Sequence, residues 1–229
     1  AVKSADEIIV LSRSAQEYFE QTYNRKTVFI PNGMDPKECH PADEIKRRWN
    51  LEENSYILFV GRLVPEKRPE LLIDAFKNIE TDKRLVIAGG GSDTSEYEQQ
   101  LHEQAKGDSR ILFTGFVTGE SLAELYSNAY CYVLPSDVEG MPMSLLEAMA
   151  YGRACVTSDI PECSDVLAGT GATFSRGDVS ALRDVLASLF ANPANISELG
   201  SAAKARVESE FDWDFVVKRT LVEYGGALS

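Results

Sequence analysis

Apolar residues fall along this chain in short unbroken runs separated by amphipathic stretches, and between residues 56 and 157 the alternation is regular. Tyr56-Ile57-Leu58-Phe59-Val60 is the clearest run. A strand with one face in water alternates apolar and polar residues, so a continuous run marks a strand covered on both faces. Strands are predicted over 56–60, 84–88, 110–113, 130–134 and 154–157, with helices over 69–78, 95–106, 118–128 and 143–151. Thr118 caps the third of these helices. Strand and helix in strict turn, with both strand faces buried, predict an α/β fold: a doubly wound parallel sheet with helices on both faces and right-handed crossovers.

The flanks are less regular. Ahead of the core, residues 5–11 read as a short apolar strand, Ser12 as the N-cap of a helix to about residue 23, and 28–30 as a second short strand. Pro31-Asn32-Gly33 ends that strand, and 43–49 suits a short helix. Beyond it, 171–174 is a weaker last strand, and the pattern then turns helical. Val179, Leu182, Val185, Leu186 and Leu189 carry helical spacing, and helices follow over 195–208 and 213–224. There is no repeat or Gly/Ser linker at which to divide the chain, and 229 residues are ample for one core. The opening strand lacks a cap and an initiator Met, which suggests the later part of something longer.

Charge and composition narrow the function. A net charge of −13 argues against a general nucleic-acid binder, because phosphate backbones are met by surplus Lys and Arg. Any anion must be caught by a local basic pocket. Cys131 and Cys155 fall in apolar runs and read as small core residues; neither they nor Cys39 and Cys163 form a C-x-x-C pair. His40 and His102 lack metal-ligand spacing, so no metal site is expected. No run of about 18 apolar residues and no signal-peptide pattern is present, and a reduced cytoplasmic setting is the default expectation.

In an open α/β sheet ligands collect beyond the carboxyl ends of the strands, so the loops that follow strands carry the candidate chemistry. The first is 135–152, PSDVEGMPMSLLEAMAYG. Glu139 stands in the loop and Glu147 in the helix; between them Gly140 lets backbone approach a ligand closely, and Pro142 suits a first helical turn. The amides of Met143, Ser144 and Leu145 are then free at the helix start, a ready phosphate site. Carboxylates only accept hydrogen bonds and sugar hydroxyls donate them, so two acids flanking an anion site suit a nucleotide sugar. Taken singly, Glu147 fits a solvent-facing helix position and Glu139 an ordinary loop acid.

A second loop, Gly61-Arg62-Leu63-Val64-Pro65-Glu66-Lys67-Arg68, can turn Arg62 and Lys67 onto one diphosphate; its plainer reading is a solvated basic turn paired with Glu66 or Glu70. Gly89-Gly90-Gly91 lets backbone pass a base or phosphate, whereas a dinucleotide fingerprint would need a third glycine where Thr94 stands. Gly115, Phe116 and Val117 fit either a base-edge contact or a turn with two core residues, and Pro31-Asn32-Gly33-Met34-Asp35 fits a turn or a donor contact through Asn32 and Gly33.

Together these motifs resemble glycosyltransferase family 4, the retaining transferases of GT-B fold. EGMPMSLLEAMAYG resembles that family's E-x7-E signature, Gly61-Arg62 to Lys67 its G-R-x-x-x-x-K diphosphate site, 87–91 its I-x-G-x-G loop, and 31–35 and 158–162 its P-N-G-x-D and S-D-I-P-E runs. The resemblance implies a Rossmann-like domain forming the second half of a GT-B architecture, with residues 1–23 as the tail of a missing first domain and 24–229 as the nucleotide-sugar domain. It implies transfer of a hexosyl group from a UDP- or GDP-type sugar to an acceptor hydroxyl in polysaccharide, lipopolysaccharide or glycolipid assembly, with no cofactor and no metal. Glu139, Arg62 and Lys67 would be catalytic. The donor would be held by Gly61, Gly90, Gly115, Phe116, Val117, Gly140, Met141, Met143, Ser144, Leu145 and Glu147, with Glu147 on the ribose.

A saccharide or lipid-linked acceptor would be bound mainly by the missing half, which leaves peripheral contact with the inner face of a membrane open. Two alternatives stand beside this reading: a non-catalytic nucleotide-sugar module and a nicotinamide-dependent oxidoreductase.

Overall fold

The computed structural model describes residue 2, residues 4–90 and residues 95–227. Strand β1 (Ile9–Val10), helix α1 (Arg13–Tyr23) and strand β2 (Val28–Phe29) form a first unit, in which Ile9 lies opposite Val28 in a parallel pair. Ser12 caps α1 as expected, accepting from the Ala15 amide at 3.2 Å. The pairing carries this unit to Phe29. Its first strand is two residues long, because only Ile9 and Val10 find a partner.

After α2 (Glu44–Trp49) the chain builds the sheet by strict alternation: β3 (Tyr56–Val60), α3 (Pro69–Lys77), β4 (Arg84–Ala88), α4 (Ser95–Ala105), β5 (Ile111–Gly115), α5 (Gly119–Asn128), β6 (Cys131–Leu134), α6 (Met143–Ala150), β7 (Ala154–Ser158), α7 (Pro161–Leu167) and β8 (Ala172–Phe174). Helices α8 (Val179–Ala191), α9 (Pro193–Glu210) and α10 (Trp213–Ala227) complete it. The strand order is β5-β4-β3-β6-β7-β8, and every pairing is parallel. From β3 the winding runs outward through β4 and β5, then returns to β6 on β3's other side. The chain therefore diverges between the carboxyl ends of β3 and β6, which is where an open α/β sheet leaves a crevice.

Burial follows the runs. Tyr56, Ile57, Leu58 and Phe59 are fully buried, as are Cys131, Cys155 and Cys163, whose thiols are raised by burial. All four cysteines are free. Helix α7 was not expected: at seven residues it is too short for periodicity to show, and Cys163, Val166 and Leu167 anchor it. Thr118 stands at the start of α5 without a side-chain capping bond. No helix among the described residues is long and apolar enough to cross a membrane.

One buried acid ties the loop before α2 to the sheet layer. Glu124, 2% exposed on α5, accepts from the amides of Asp43 and Ile45, each at 3.0 Å. Glu124→Ala leaves the buried Ile45 amide without an acceptor, while the Asp43 amide keeps the Pro41 carbonyl at 3.1 Å, so it is expected to lower stability by about 2 kcal/mol, read as a urea midpoint shift at constant m-value.

Candidate functional site

Three loops at the carboxyl ends of β3, β4 and β5 are joined by backbone. Gly61 donates to the Ala88 carbonyl at 3.1 Å, Leu63 to Gly90 at 3.2 Å, and Gly89 to Gly115 at 2.9 Å. Gly89 is the residue that permits this, because a Cβ there would stand 1.8 Å from the Gly61 carbonyl oxygen. Phe116 projects from the rim, 82% exposed, while Val117 turns into the core. The remainder of the predicted glycine loop, from Gly91 to Thr94, lies outside the described residues.

The loop after β3 closes into a 3-10 turn, Pro65–Lys67, and Arg68 follows with φ 54°. That turn aims the lysine away from solvent. Lys67 Nζ donates to both oxygens of Glu139, at 2.6 and 2.8 Å, across to the loop after β6. Beside it Arg68 bonds to Asp137 at 2.9 Å, and the Asp137 amide donates to the Glu66 carbonyl at 2.9 Å. The cationic loop and the acid-led loop thus meet at the divergence of β3 and β6. Arg62 does not join them: it is 64% exposed and lies 3.8 Å from Glu66, as the plainer reading of this turn had it.

The acid is held from beneath. The Glu139 side chain is 6% exposed, and Ser136 Oγ donates to its Oε1 at 2.6 Å. At the start of α6, Ser144 Oγ accepts from Tyr132 of β6 at 2.7 Å. Burial holds the Tyr132 phenol well above its ordinary range, so it stays a neutral donor. The helix begins at Met143 as expected, but its free amides are fewer. Pro142 is the N-cap, one residue outside the helix, and the Leu145 amide is not free, because it donates to the Pro142 carbonyl at 3.0 Å. Met143 and Ser144 remain as the donors at that end.

Glu147 sits half-buried one turn in, beside Tyr126. Tyr126 stacks on Tyr151 with centroids 5.5 Å apart, and burial, then Tyr132 and Glu147, raise its phenol far above the usual range. Gly140 has open space where a Cβ would lie. Gly140 and Met141 also border a cavity of about 570 Å³ lined by Arg13, Phe29, Glu162, Arg206 and Phe215. Asn32 comes to this edge, with Nδ2 3.3 Å from Met143 Sδ, but Gly33 does not. It is buried under the Trp213 ring, where a Cβ would lie 2.4 Å from a ring carbon.

Sequence reasoning passed over Ser136, Asp137, Arg68 and Tyr132. The first two stand in the same PSDVEG loop and Arg68 follows Lys67, so adjacency was the available signal. Among the described residues no group of three or more His, Cys, Asp or Glu is placed to hold a metal.

Comparison with known proteins places the chain in a family. Residues 41–206, more than half the chain, match the family described as "Glycosyl transferases group 1". The alpha-maltose-1-phosphate synthase of Mycolicibacterium smegmatis is 28% identical over 98% of this chain and 64% of its own length. Among solved structures, sucrose-phosphate synthase from Thermosynechococcus elongatus superposes with TM-score 0.86 at 27% identity, over 99% of this chain and 59% of that one. HepE of Anabaena, in complex with UDP and glucose, superposes with TM-score 0.90 at 21% identity, over 99% and 65%. The chain spans under two thirds of the length of each of these relatives. Its sheet is the Rossmann-like α/β sheet of GT-B glycosyltransferases. With the family pattern running unbroken from α2 to α9 across the β3–β6 crevice, this chain belongs to the glycosyl transferases group 1 family.

Proposed function

We propose that the chain is the donor-binding half of a retaining glycosyltransferase of family 4 type, moving a hexosyl group from a nucleoside diphosphate sugar to an acceptor hydroxyl. The observation that carries the reading is the meeting of Lys67 and Glu139, one from each loop, at the divergence of β3 and β6. That point offers a cation for the diphosphate and an acid for sugar hydroxyls within one side-chain length.

In this reading the donor lies along the rim. The base faces the backbone of Gly115 and Phe116, the ribose hydroxyls donate to Glu147, and the diphosphate spans Lys67, the amides of Met143 and Ser144, and Arg62, whose exposed guanidinium would leave Glu66 and swing inward. The barrier falls most where negative charge grows on the departing diphosphate. Those preorganised donors meet it, and losing one typically costs about 3 kcal/mol of transition-state stabilisation. Glu139 orients the sugar and is not assigned as a nucleophile. The acceptor would approach from the cavity beside Gly140 and Met141, together with a preceding domain, so the isolated chain is expected to bind donor weakly and transfer little.

Calorimetric titration with UDP, GDP, their sugars and the bare nucleosides tests this. Arg62→Ala is expected to weaken nucleoside diphosphates about tenfold and leave nucleosides unchanged, because it touches only phosphate. Glu147→Ala is expected to weaken both. Equal losses for diphosphate and nucleoside in the Arg62 variant would remove that loop from the site.

A further inference from the structure

The carboxylate of Glu139 is asymmetrically held, and the asymmetry fixes which of its oxygens a ligand can use. Among the described residues Oε1 receives two donors, Ser136 Oγ at 2.6 Å and Lys67 Nζ at 2.6 Å, whereas Oε2 receives Lys67 alone, at 2.8 Å. Ser136 is fully buried, and its own carbonyl accepts from Ser158 Oγ at 2.5 Å. Ser158 is the last residue of β7, also fully buried, and opens the Ser-Asp-Ile-Pro-Glu run. A continuous line of hydrogen bonds therefore leads from the end of β7 through Ser136 to the acid, and no member but Glu139 reaches the rim.

Lys67 has two claims on it. An arriving diphosphate carries more negative charge than a carboxylate and draws the flexible ammonium outward. Among the described residues Glu139 then loses its only donor on Oε2, and the Ser136 hydroxyl is left to keep the side chain from rotating or following the lysine. We propose that Ser136, braced by Ser158, is a positioning residue: it anchors Oε1 so that Oε2, vacated by Lys67, faces the transferred sugar. This rests on the donor-site reading above and adds to it the residue that makes the acid's orientation survive the loss of its ion pair.

The test compares each nucleoside diphosphate with its own sugar in wild-type chain, Ser136→Ala, Ser136→Thr and Ser158→Ala, using UDP with UDP-glucose and GDP with GDP-mannose in calorimetry. Ser136→Ala is expected to hold diphosphate affinity within about threefold and to weaken the sugar nucleotide relative to its diphosphate by about tenfold, the loss of one hydrogen bond to a charged group. Ser136→Thr keeps the hydroxyl and is expected to restore the wild-type ratio, and Ser158→Ala to move it the same way as Ser136→Ala by a smaller factor. Equal losses for both ligands in Ser136→Ala would mean general damage to the loop and would overturn the assignment. So would an unchanged ratio. A wild-type chain that binds neither pair would overturn the donor-site reading itself, and the role of Ser136 with it.

Discussion

Lys67→Met is expected to cost this chain about 3 kcal/mol of folding stability, in the range for breaking a buried ion pair by removing one partner. The pair is nominally a surface contact between loops, and exposed pairs contribute only about 0–1 kcal/mol. Burial decides between the two regimes. With Lys67 16% and Glu139 6% exposed, the carboxylate has little water to fall back on when the ammonium goes. The penalty is that of a stranded charge, so removing the charge should recover it. Lys67→Met with Glu139→Gln is accordingly expected to regain most of the loss in urea unfolding. If the double variant instead loses the sum of two single losses, the residues are uncoupled and the convergence of the two loops is not energetic. The same single variant is expected to lose nucleoside diphosphate binding. Arg62→Ala, whose partner is 3.8 Å away and whose side chain is 64% exposed, should leave stability within about 0.5 kcal/mol of wild type.

The core was legible because its residues state their environment. Tyr56 to Val60 admits no exposed face, and the five central strands follow within two residues of their predicted limits. What stayed illegible was set by partners distant in sequence. The first unit's continuation to Phe29 depends on Val28 pairing with Ile9, and Gly33 reads as a turn glycine until Trp213 is seen to pack on it. At the site, Glu139, Glu147 and Lys67 stood out by spacing and position. Their geometry did not, because a lysine five residues after Arg62 gives no hint that a 3-10 turn sends the two in different directions. Ser136 is an ordinary loop residue in the sequence, and neither its bond to Glu139 nor the bond from Ser158 to its carbonyl could be read there.

Gly89→Ala is expected to lower stability by about 4 kcal/mol, near the upper end for single substitutions, and to abolish nucleotide binding with it. The reason is contact between main chains, which no rotamer change relieves. A Cβ at residue 89 would lie 1.8 Å from the Gly61 carbonyl oxygen, so the loops after β3 and β4 must part. Parting them breaks the bonds from Gly61 to Ala88 and from Gly89 to Gly115, which hold the loops after β3, β4 and β5 at one height. Gly140→Ala is the control, since a Cβ there meets nothing within 4 Å. It should leave urea unfolding unchanged and affect only ligands that press on that backbone. A Gly89→Ala chain of wild-type stability would show that these loops have room between them, and a rim with that much slack could not keep Lys67, Gly115 and Glu139 at the fixed separations that the proposed donor site requires.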